Sequence, residues 1–227
     1  MNDNALRAPQ WRQVLGEFMP RHLGGTPEQW AEANRLQFPR VWHAVAPRMA
    51  EFTSHDAFQR EYDLLWFGSM CSHLGIPMPP EPQAREIVYE ATKFITANVR
   101  ADYPDAVPAI RSLHATGFVL HTASGTRSWE LDNFLRSMGV RQCFGSLFGP
   151  DLVDIMKGSP EYYRRVFERA RVEPSSAVVI DDDPLPCTWA EAAGATTIRV
   201  DRAARGSGAG VVPDLATAVQ WVLERRS

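Results

Sequence analysis

The sequence predicts an α/β fold, in which a parallel sheet carries helices on both faces and is preceded by a helical region. Apolar runs and helical patterns alternate at the spacing of βαβ units from residue 100 to the end of the 227-residue chain. The first 99 residues contain helical patterns and no convincing strand. We therefore expect a helical region at residues 1–99 and an α/β core at residues 100–227.

The most informative stretch is residues 157–183, which reads KGSPEYYRRVFERARVEPSSAVVIDDD. Apolar residues recur at helical spacing in its middle, at Tyr163, Val166, Phe167 and Ala170. Ser159 is placed to cap the helix that this pattern predicts. The apolar run 177–180 then predicts a strand buried on both faces. Carboxylates follow at its end, where open α/β sheets bind their ligands.

Three carboxylates, Asp181, Asp182 and Asp183, follow this strand. Adjacent carboxylates repel one another, so an ionised Asp181 and Asp182 call for a compensating charge, most simply Mg²⁺ with its preference for oxygen ligands. Lys157, ahead of a predicted helix, is a mobile positive charge suited to phosphate. A single lysine is more often a solvated surface charge, so the interpretation depends on Lys157 and the acids together. Asp183 precedes Pro184 and is expected to cap the next helix.

Composition limits the classes of function. A net charge of −3 and a pI near 6.1 give no reason to expect nucleic acid or an anionic membrane as a partner. The three cysteines share no metal-like spacing, which favours reduced thiols in a cytoplasmic protein. No apolar run is long enough to cross a bilayer, and the first residues do not resemble a signal peptide. We expect a cytoplasmic protein that acts on a small molecule, in an oligomeric state that the sequence does not predict.

The sequence of the helical region predicts four helices. The first helix starts at a capping box at Thr26, the second helix covers residues 40–52, and the third helix ends at Gly75. The fourth follows a proline-rich segment after residue 76. In the second half, strands are predicted in FVLHTASGT, CFGSLFG and TTIRV as well as at 177–180, with a Gly/Ser loop at 206–210.

Three features of the second half occur in a fixed order: Thr122 ends an apolar strand, Lys157 precedes a helix, and Asp181 and Asp182 end the next strand. Together they resemble the second, third and fourth motifs of the haloacid dehalogenase-like (HAD) hydrolase superfamily. The resemblance covers residues 103–200 closely, and the preceding helices are similar to the helical cap of that family. It implies a HAD-like Rossmannoid core with a helical cap.

The resemblance also implies roles for single residues. Thr122 and the backbone N–H of Ala123 would hold a transferring phosphoryl group, and Lys157 would neutralise it. Asp182 would be a direct Mg²⁺ ligand, with Asp181 a ligand or an outer-shell partner. Dehalogenating members of the superfamily work without a metal and need no acidic pair here. The pair therefore favours a Mg²⁺-dependent phosphatase that acts on a small phosphorylated metabolite through an aspartyl-phosphate.

Two other functions stay open at this point. One is a non-catalytic HAD-fold protein that binds phosphate or Mg²⁺ or serves as an interaction partner. The other, less favoured, is a metal-free 2-haloacid dehalogenase. Release of phosphate from an aryl phosphate, or of halide from a 2-haloacid, would distinguish the three.

One motif of the family has no counterpart in this sequence. The first motif is a strand that ends in an aspartate nucleophile, with a second aspartate two residues later. No such strand precedes Ala5, and Asp3 lacks an apolar lead-in. We expect this motif in the coding region upstream of Met1, which translation of that region tests. In the family this strand lies between the strands that end at Thr122 and Asp182. Without it, the apolar edges of those two strands would face an empty slot. We therefore predict that the chain is poorly soluble or inactive.

Overall fold

The structure, a computed structural model, describes residues 3–204 and 210–225 and contains two compact units. An α/β unit comprises residues 102–128 and 139–227, and a helical unit comprises residues 2–101 and 129–138. Residues 129–138 follow the first strand along the chain, yet they belong to the helical unit. Within the described residues, every helix is too short or too polar to span a lipid bilayer.

Five helices make up most of the helical unit: α1 (Asn4–Phe18), α2 (Pro20–Leu23), α3 (Pro27–Val45), α4 (His55–Leu74) and α5 (Glu81–Asn98). The capping box predicted at Thr26 is confirmed. Thr26 Oγ1 accepts a hydrogen bond from the Gln29 N–H, and the Gln29 side chain accepts one from the Thr26 N–H. Gly75 ends α4 as predicted, in the left-handed conformation with φ of 67°.

The separate helix predicted over residues 40–52 is wrong. Helix α3 continues through Pro39 to Val45, and a 3₁₀ helix follows over Ala46–Glu51. An internal proline removes one backbone hydrogen bond and crowds the preceding turn. The buried face of α3 continues on both sides of Pro39, from Trp30 to Val45, and this packing outweighs the local cost.

The α/β unit alternates helices with strands along the chain: α6 (Ala106–Ala115), β1 (Leu120–Ala123), β2 (Phe144–Phe148), α8 (Pro150–Val153), α9 (Pro160–Ala170), β3 (Val178–Asp181), α10 (Pro184–Ala192), β4 (Thr196–Val200), β5 (Val211–Val212) and α11 (Leu215–Glu224). Helix α7 (Ser128–Ser137) lies between β1 and β2 in sequence. The four predicted strands and the α/β fold are confirmed. Strand β5 was not predicted, and residues 206–209 of the predicted Gly/Ser loop lie outside the described residues.

Every strand pairing in the described part of the chain is parallel, and the described strands form two separate groups. Strand β1 pairs with β2, whereas β3 pairs with β4 and β4 pairs with β5. Helices α6 and α11 pack on one face of the strands, and α9 and α10 pack on the other. Successive side chains of β3 reach opposite cores, Ile180 the first and Val179 the second.

A cavity of about 360 Å³ lies between β1 and β3, and both strands line it. Helix α9 contributes Val166 and Phe167 to one face, and α6 and α11 contribute Leu113 and Val222 to the other. We call this cavity the interstrand slot. The interstrand slot lies between β1 and β3, which is the position that the family resemblance gives to the strand of the first motif.

Candidate active site

The carboxyl end of β3 carries a largely buried ion pair. Lys157 Nζ donates a hydrogen bond to Asp181 Oδ2 at 2.6 Å, and the two side chains are only 14% and 13% exposed. The other oxygen, Asp181 Oδ1, accepts the Asp183 N–H at 3.1 Å. Both carboxylate oxygens of Asp181 are therefore engaged by donors, one of them charged.

The loop that carries Lys157 is tied to the helix that follows it. Arg165 on α9 donates from Nη1 to the carbonyl oxygens of Val153 and Asp154, at 3.0 and 3.1 Å. Ser159 occupies the residue before α9 in an extended conformation, but its side chain makes no capping hydrogen bond. Ser159 therefore occupies the N-cap position of α9 as predicted but does not cap the helix through its side chain. Asp183 caps α10 as predicted by accepting the Leu185 N–H.

Tyr162 brings the end of β1 close to the end of β3. Its hydroxyl donates to Ser124 O at 2.8 Å and lies 3.3 Å from Phe148 O, which also accepts from Thr122 Oγ1 at 3.3 Å. Burial raises the pKa of Tyr162, and the charges of Asp151 and Asp181 raise it further. Thr122, Tyr162 and Asp181 thus gather at one end of the strands, and the Tyr162 hydroxyl stays protonated.

The remaining predicted site residues make fewer contacts. Ala123 is partly buried and pairs in register with Phe148. Asp182 is exposed. The structure thus brings Lys157 and Asp181 together and leaves Asp182 toward solvent. Phosphate binding by Thr122, Ala123 and Lys157 stays a prediction.

The described carboxylates do not fit a magnesium site in this arrangement. No group of three or more His, Cys, Asp or Glu side chains in residues 3–204 and 210–225 is placed to hold a metal ion. A cation at Asp181 would also have to displace the Lys157 ammonium from a largely buried carboxylate. Magnesium at Asp181 and Asp182 stays a prediction of the sequence, and no step below uses it.

Two adjacent tyrosines near this site, Tyr162 and Tyr163, differ in their hydrogen bonding. The Tyr162 hydroxyl donates to Ser124 O, whereas the Tyr163 hydroxyl is fully buried with no hydrogen-bond partner. We expect Tyr162→Phe to lower the free energy of unfolding by about 1 kcal/mol, because a formed hydrogen bond is lost. We expect Tyr163→Phe to raise it by about 1 kcal/mol, because an unsatisfied polar group leaves the core. Urea unfolding followed by tryptophan fluorescence measures both, and changes of the same sign would contradict this assignment.

The helical unit contains a pocket that the sequence analysis did not identify. It has a volume of about 420 Å³ and is lined by Asn4, Arg7, Ala8, Trp11, Arg12, Asn34, Arg35, Phe38 and Pro39. We call it the arginine pocket. The Arg7 guanidinium lies 5.5 Å from the centroid of the Trp11 ring, and burial lowers the pKa of Arg7, although an arginine remains charged. Three cations beside apolar walls suit an organic anion such as a carboxylate.

The arginine pocket is hidden in the sequence for two reasons. Helix α1 contains Pro9 and shows no clear apolar stripe, so its helical repeat is difficult to detect. Arg35 comes from α3, and it joins Arg7 and Arg12 only through the packing of α1 against α3. The one local signal is the four-residue spacing of Arg7 and Trp11, which places both on one face of a helix.

Comparison with known proteins identifies the family. Residues 7–194 match the model of a hydrolase family described as haloacid dehalogenase-like hydrolase. The (S)-2-haloacid dehalogenase 1 of Pseudomonas sp. strain CBS-3 is 28% identical over 100 residues, and the match spans only 44% of this chain and 44% of that protein. The structure resembles an L-2-haloacid dehalogenase from Xanthobacter autotrophicus with a TM-score of 0.60, 16% identity and 93% coverage of each chain. It also resembles a 2-haloacid dehalogenase from Pseudomonas syringae pv. Tomato DC3000 with a TM-score of 0.65 and 18% identity, over 100% of this chain and 95% of that one.

These relatives contradict the main functional prediction, a Mg²⁺-dependent phosphatase. The proteins to which the chain is similar are 2-haloacid dehalogenases, which agrees with the alternative that the sequence analysis favoured less. The prediction rested on an acidic pair, but Lys157 already neutralises Asp181, and Asp182 is exposed. Because the family model extends over most of the helical and α/β units, the chain belongs to the haloacid dehalogenase-like hydrolases.

Proposed function

We propose that the chain takes part in the hydrolytic dehalogenation of small 2-haloacids. In this reaction the carbon–halogen bond breaks, a carbon–oxygen bond to water oxygen forms, and a halide ion and a proton are released. The similarity to an (S)-2-haloacid dehalogenase supports this reaction class. The observation that carries the proposal is the arginine pocket, since a 2-haloacid combines a carboxylate with an apolar carbon–halogen group.

Arginine pairs with carboxylates through two parallel hydrogen bonds, which fixes the orientation of the bound anion. Arg35 is engaged by Glu32 at 2.6 Å, and Arg7 lies near the charge of buried Glu130, so Arg12 is the first candidate for the substrate carboxylate. Trp11 and Phe38 give the pocket an apolar wall for the halogen-bearing carbon. The volume of about 420 Å³ is in the range of small-molecule pockets and exceeds what a three-carbon acid needs.

We also propose that the reaction takes place in the cytoplasm. Cys71, Cys143 and Cys187 are free and buried, as is usual in a reducing compartment. Burial raises the pKa of Cys71 and of Cys187 to about 11, so both are protonated thiols at neutral pH. Neither thiol is therefore a candidate nucleophile.

The reaction is tested by incubating the chain, alone and with its translated upstream residues, with each enantiomer of 2-chloropropionate. We expect chloride release and lactate formation by the extended chain. An aryl phosphate with Mg²⁺ serves as the competing substrate. Phosphate release without chloride release would refute the proposal, and no turnover of either substrate would favour the non-catalytic alternative.

The arginine pocket is tested by Arg12→Met, with binding of 2-chloropropionate measured by calorimetry so that turnover is not needed. Loss of one charged hydrogen-bond donor is expected to raise the Kd by roughly ten- to hundredfold. Arg40→Met is the matched control, because Arg40 is exposed on α3 and does not line the pocket. An unchanged Kd in Arg12→Met would remove the pocket from the proposed site.

A further inference from the structure

We propose that Asn34 is a further substrate-binding residue of the arginine pocket, and that its side-chain amide donates a hydrogen bond to the substrate carboxylate beside Arg12. This inference rests on the proposed function, because it concerns the same pocket and the same anion. It adds a neutral donor to the charged donors of the pocket, and it assigns that donor to the carboxylate rather than to the halogen.

Asn34 is a buried polar residue in the middle of α3. Its side chain lines the arginine pocket, and the residue is only 4% exposed, so its small exposed part faces that cavity. Asparagine is a weak helix former, and burial of an amide is unfavourable unless the amide is hydrogen-bonded. The Asn34 amide therefore needs hydrogen-bond partners at this position.

One partner is another buried side chain, and it fixes the orientation of the amide. Trp66 Nε1 of α4 donates to Asn34 Oδ1 at 2.9 Å. An indole nitrogen only donates, so the atom that it contacts is the carbonyl oxygen of the amide and not its nitrogen. Trp66 is buried, and α4 packs against α3. The Asn34 amide cannot turn over without losing this bond.

The bond to Trp66 uses only the carbonyl half of the amide. Within residues 3–204 and 210–225, the two N–H groups on Asn34 Nδ2 donate no hydrogen bond. Buried donors are nearly always paired, so two open donors at the wall of a pocket indicate an acceptor on a ligand. The carboxylate of a 2-haloacid is a charged acceptor and forms the stronger hydrogen bond, whereas a halogen bound to carbon is a weak acceptor.

A carboxylate can accept hydrogen bonds from both residues at once. It offers about four lone-pair sites, and a guanidinium fork occupies two of them. Arg12 reaches the pocket from α1 and Asn34 from α3, so the two donors come from different helices. We infer that Arg12 supplies the charge that attracts the anion, and that the fixed amide of Asn34 sets its orientation.

The test compares propionate and 2-chloropropionate, which share the carboxylate and differ in the halogen. Calorimetry on the chain measures the Kd of each ligand, so turnover is not needed. Asn34→Leu removes the donors, and we expect the Kd of both ligands to rise by the same factor, roughly ten- to hundredfold. A rise for 2-chloropropionate alone would place the donor at the halogen and would overturn the assignment.

Two further variants separate a lost hydrogen bond from altered packing. Gln37→Leu is the matched control, because Gln37 is a buried amide on α3 that does not line the pocket, and its Kd should stay within about twofold. Asn34→Asp keeps an oxygen acceptor for Trp66 but replaces the donors with a negative charge that repels the ligand. Its Kd should rise at least as much as that of Asn34→Leu, and thermal melting checks that each variant is folded. Binding of propionate by Asn34→Asp as tight as by the starting protein would refute the role of Asn34.

Arg12→Met separates this inference from the proposed function. If Arg12→Met weakens the binding of both ligands and Asn34→Leu does not, the arginine pocket remains the proposed substrate site and the role of Asn34 is wrong. If the unaltered chain binds neither ligand at concentrations up to about 10 mM, both the pocket and the role of Asn34 are wrong.

Discussion

Replacing Lys157 with methionine is expected to lower the free energy of unfolding by about 3–5 kcal/mol, because it leaves the Asp181 carboxylate buried without its partner. This loss is large against a typical domain stability of about 5–15 kcal/mol. Urea unfolding followed by tryptophan fluorescence measures the loss.

Two comparisons show whether burial is the cause. In Lys157→Met with Asp181→Leu both charges are removed, and the free energy of unfolding should return to within about 1–2 kcal/mol of that of the starting protein. Arg164→Met breaks an exposed ion pair with Glu161 on α9 and should cost less than about 1 kcal/mol. A loss in Lys157→Met no larger than that in Arg164→Met would show that the buried pair contributes little to stability.

Gly149→Ala has the second largest expected effect, a loss of about 1–3 kcal/mol. A Cβ at Gly149 would overlap the Thr126 carbonyl oxygen and lie 3.0 Å from the Ser128 nitrogen. Both are backbone atoms, so the loop after β1 has to move. The Ser128 N–H donates to Asp151 Oδ1 at 2.9 Å, and this contact is disturbed by the same movement. Thermal melting measures the loss, and hydrogen exchange of the loop amides locates the movement.

Gly158→Ala is the matched control for this substitution. A Cβ at Gly158 meets no atom within 4 Å, and its φ is not in the left-handed region. We expect a change within about 0.5 kcal/mol, or a small gain from a less flexible unfolded chain. If Gly149→Ala were as stable as Gly158→Ala, the loop after β1 would be able to move without lowering the free energy of unfolding.

Local patterns predicted the elements that depend on neighbouring residues. The run 177–180 indicated a buried strand because both faces of a central parallel strand are apolar, and β3 follows within one residue. Thr26 and Asp183 were recognised as caps because a side chain bonds to the backbone two or three residues ahead. These signals require no knowledge of the rest of the chain.

Contacts between distant residues were predicted less well. Lys157 and Asp181 were both assigned to the site, but they were expected to face a phosphate and a cation rather than each other. Their pairing across 24 positions depends on the path of the loop before α9. The arginine pocket depends in the same way on the packing of α1 on α3. The sign of a side chain's charge does not reveal which oppositely charged residue it will contact in the folded protein.

The helical unit is assembled from two stretches of chain, residues 2–101 and 129–138. During synthesis on the ribosome, helices α1–α5 emerge before β1, and α7 emerges only after it. Leu131, Phe134 and Leu135 of α7 are buried in the finished protein, so part of the nascent helical unit stays uncovered until they arrive. That interval is when the growing chain most needs protection by a chaperone.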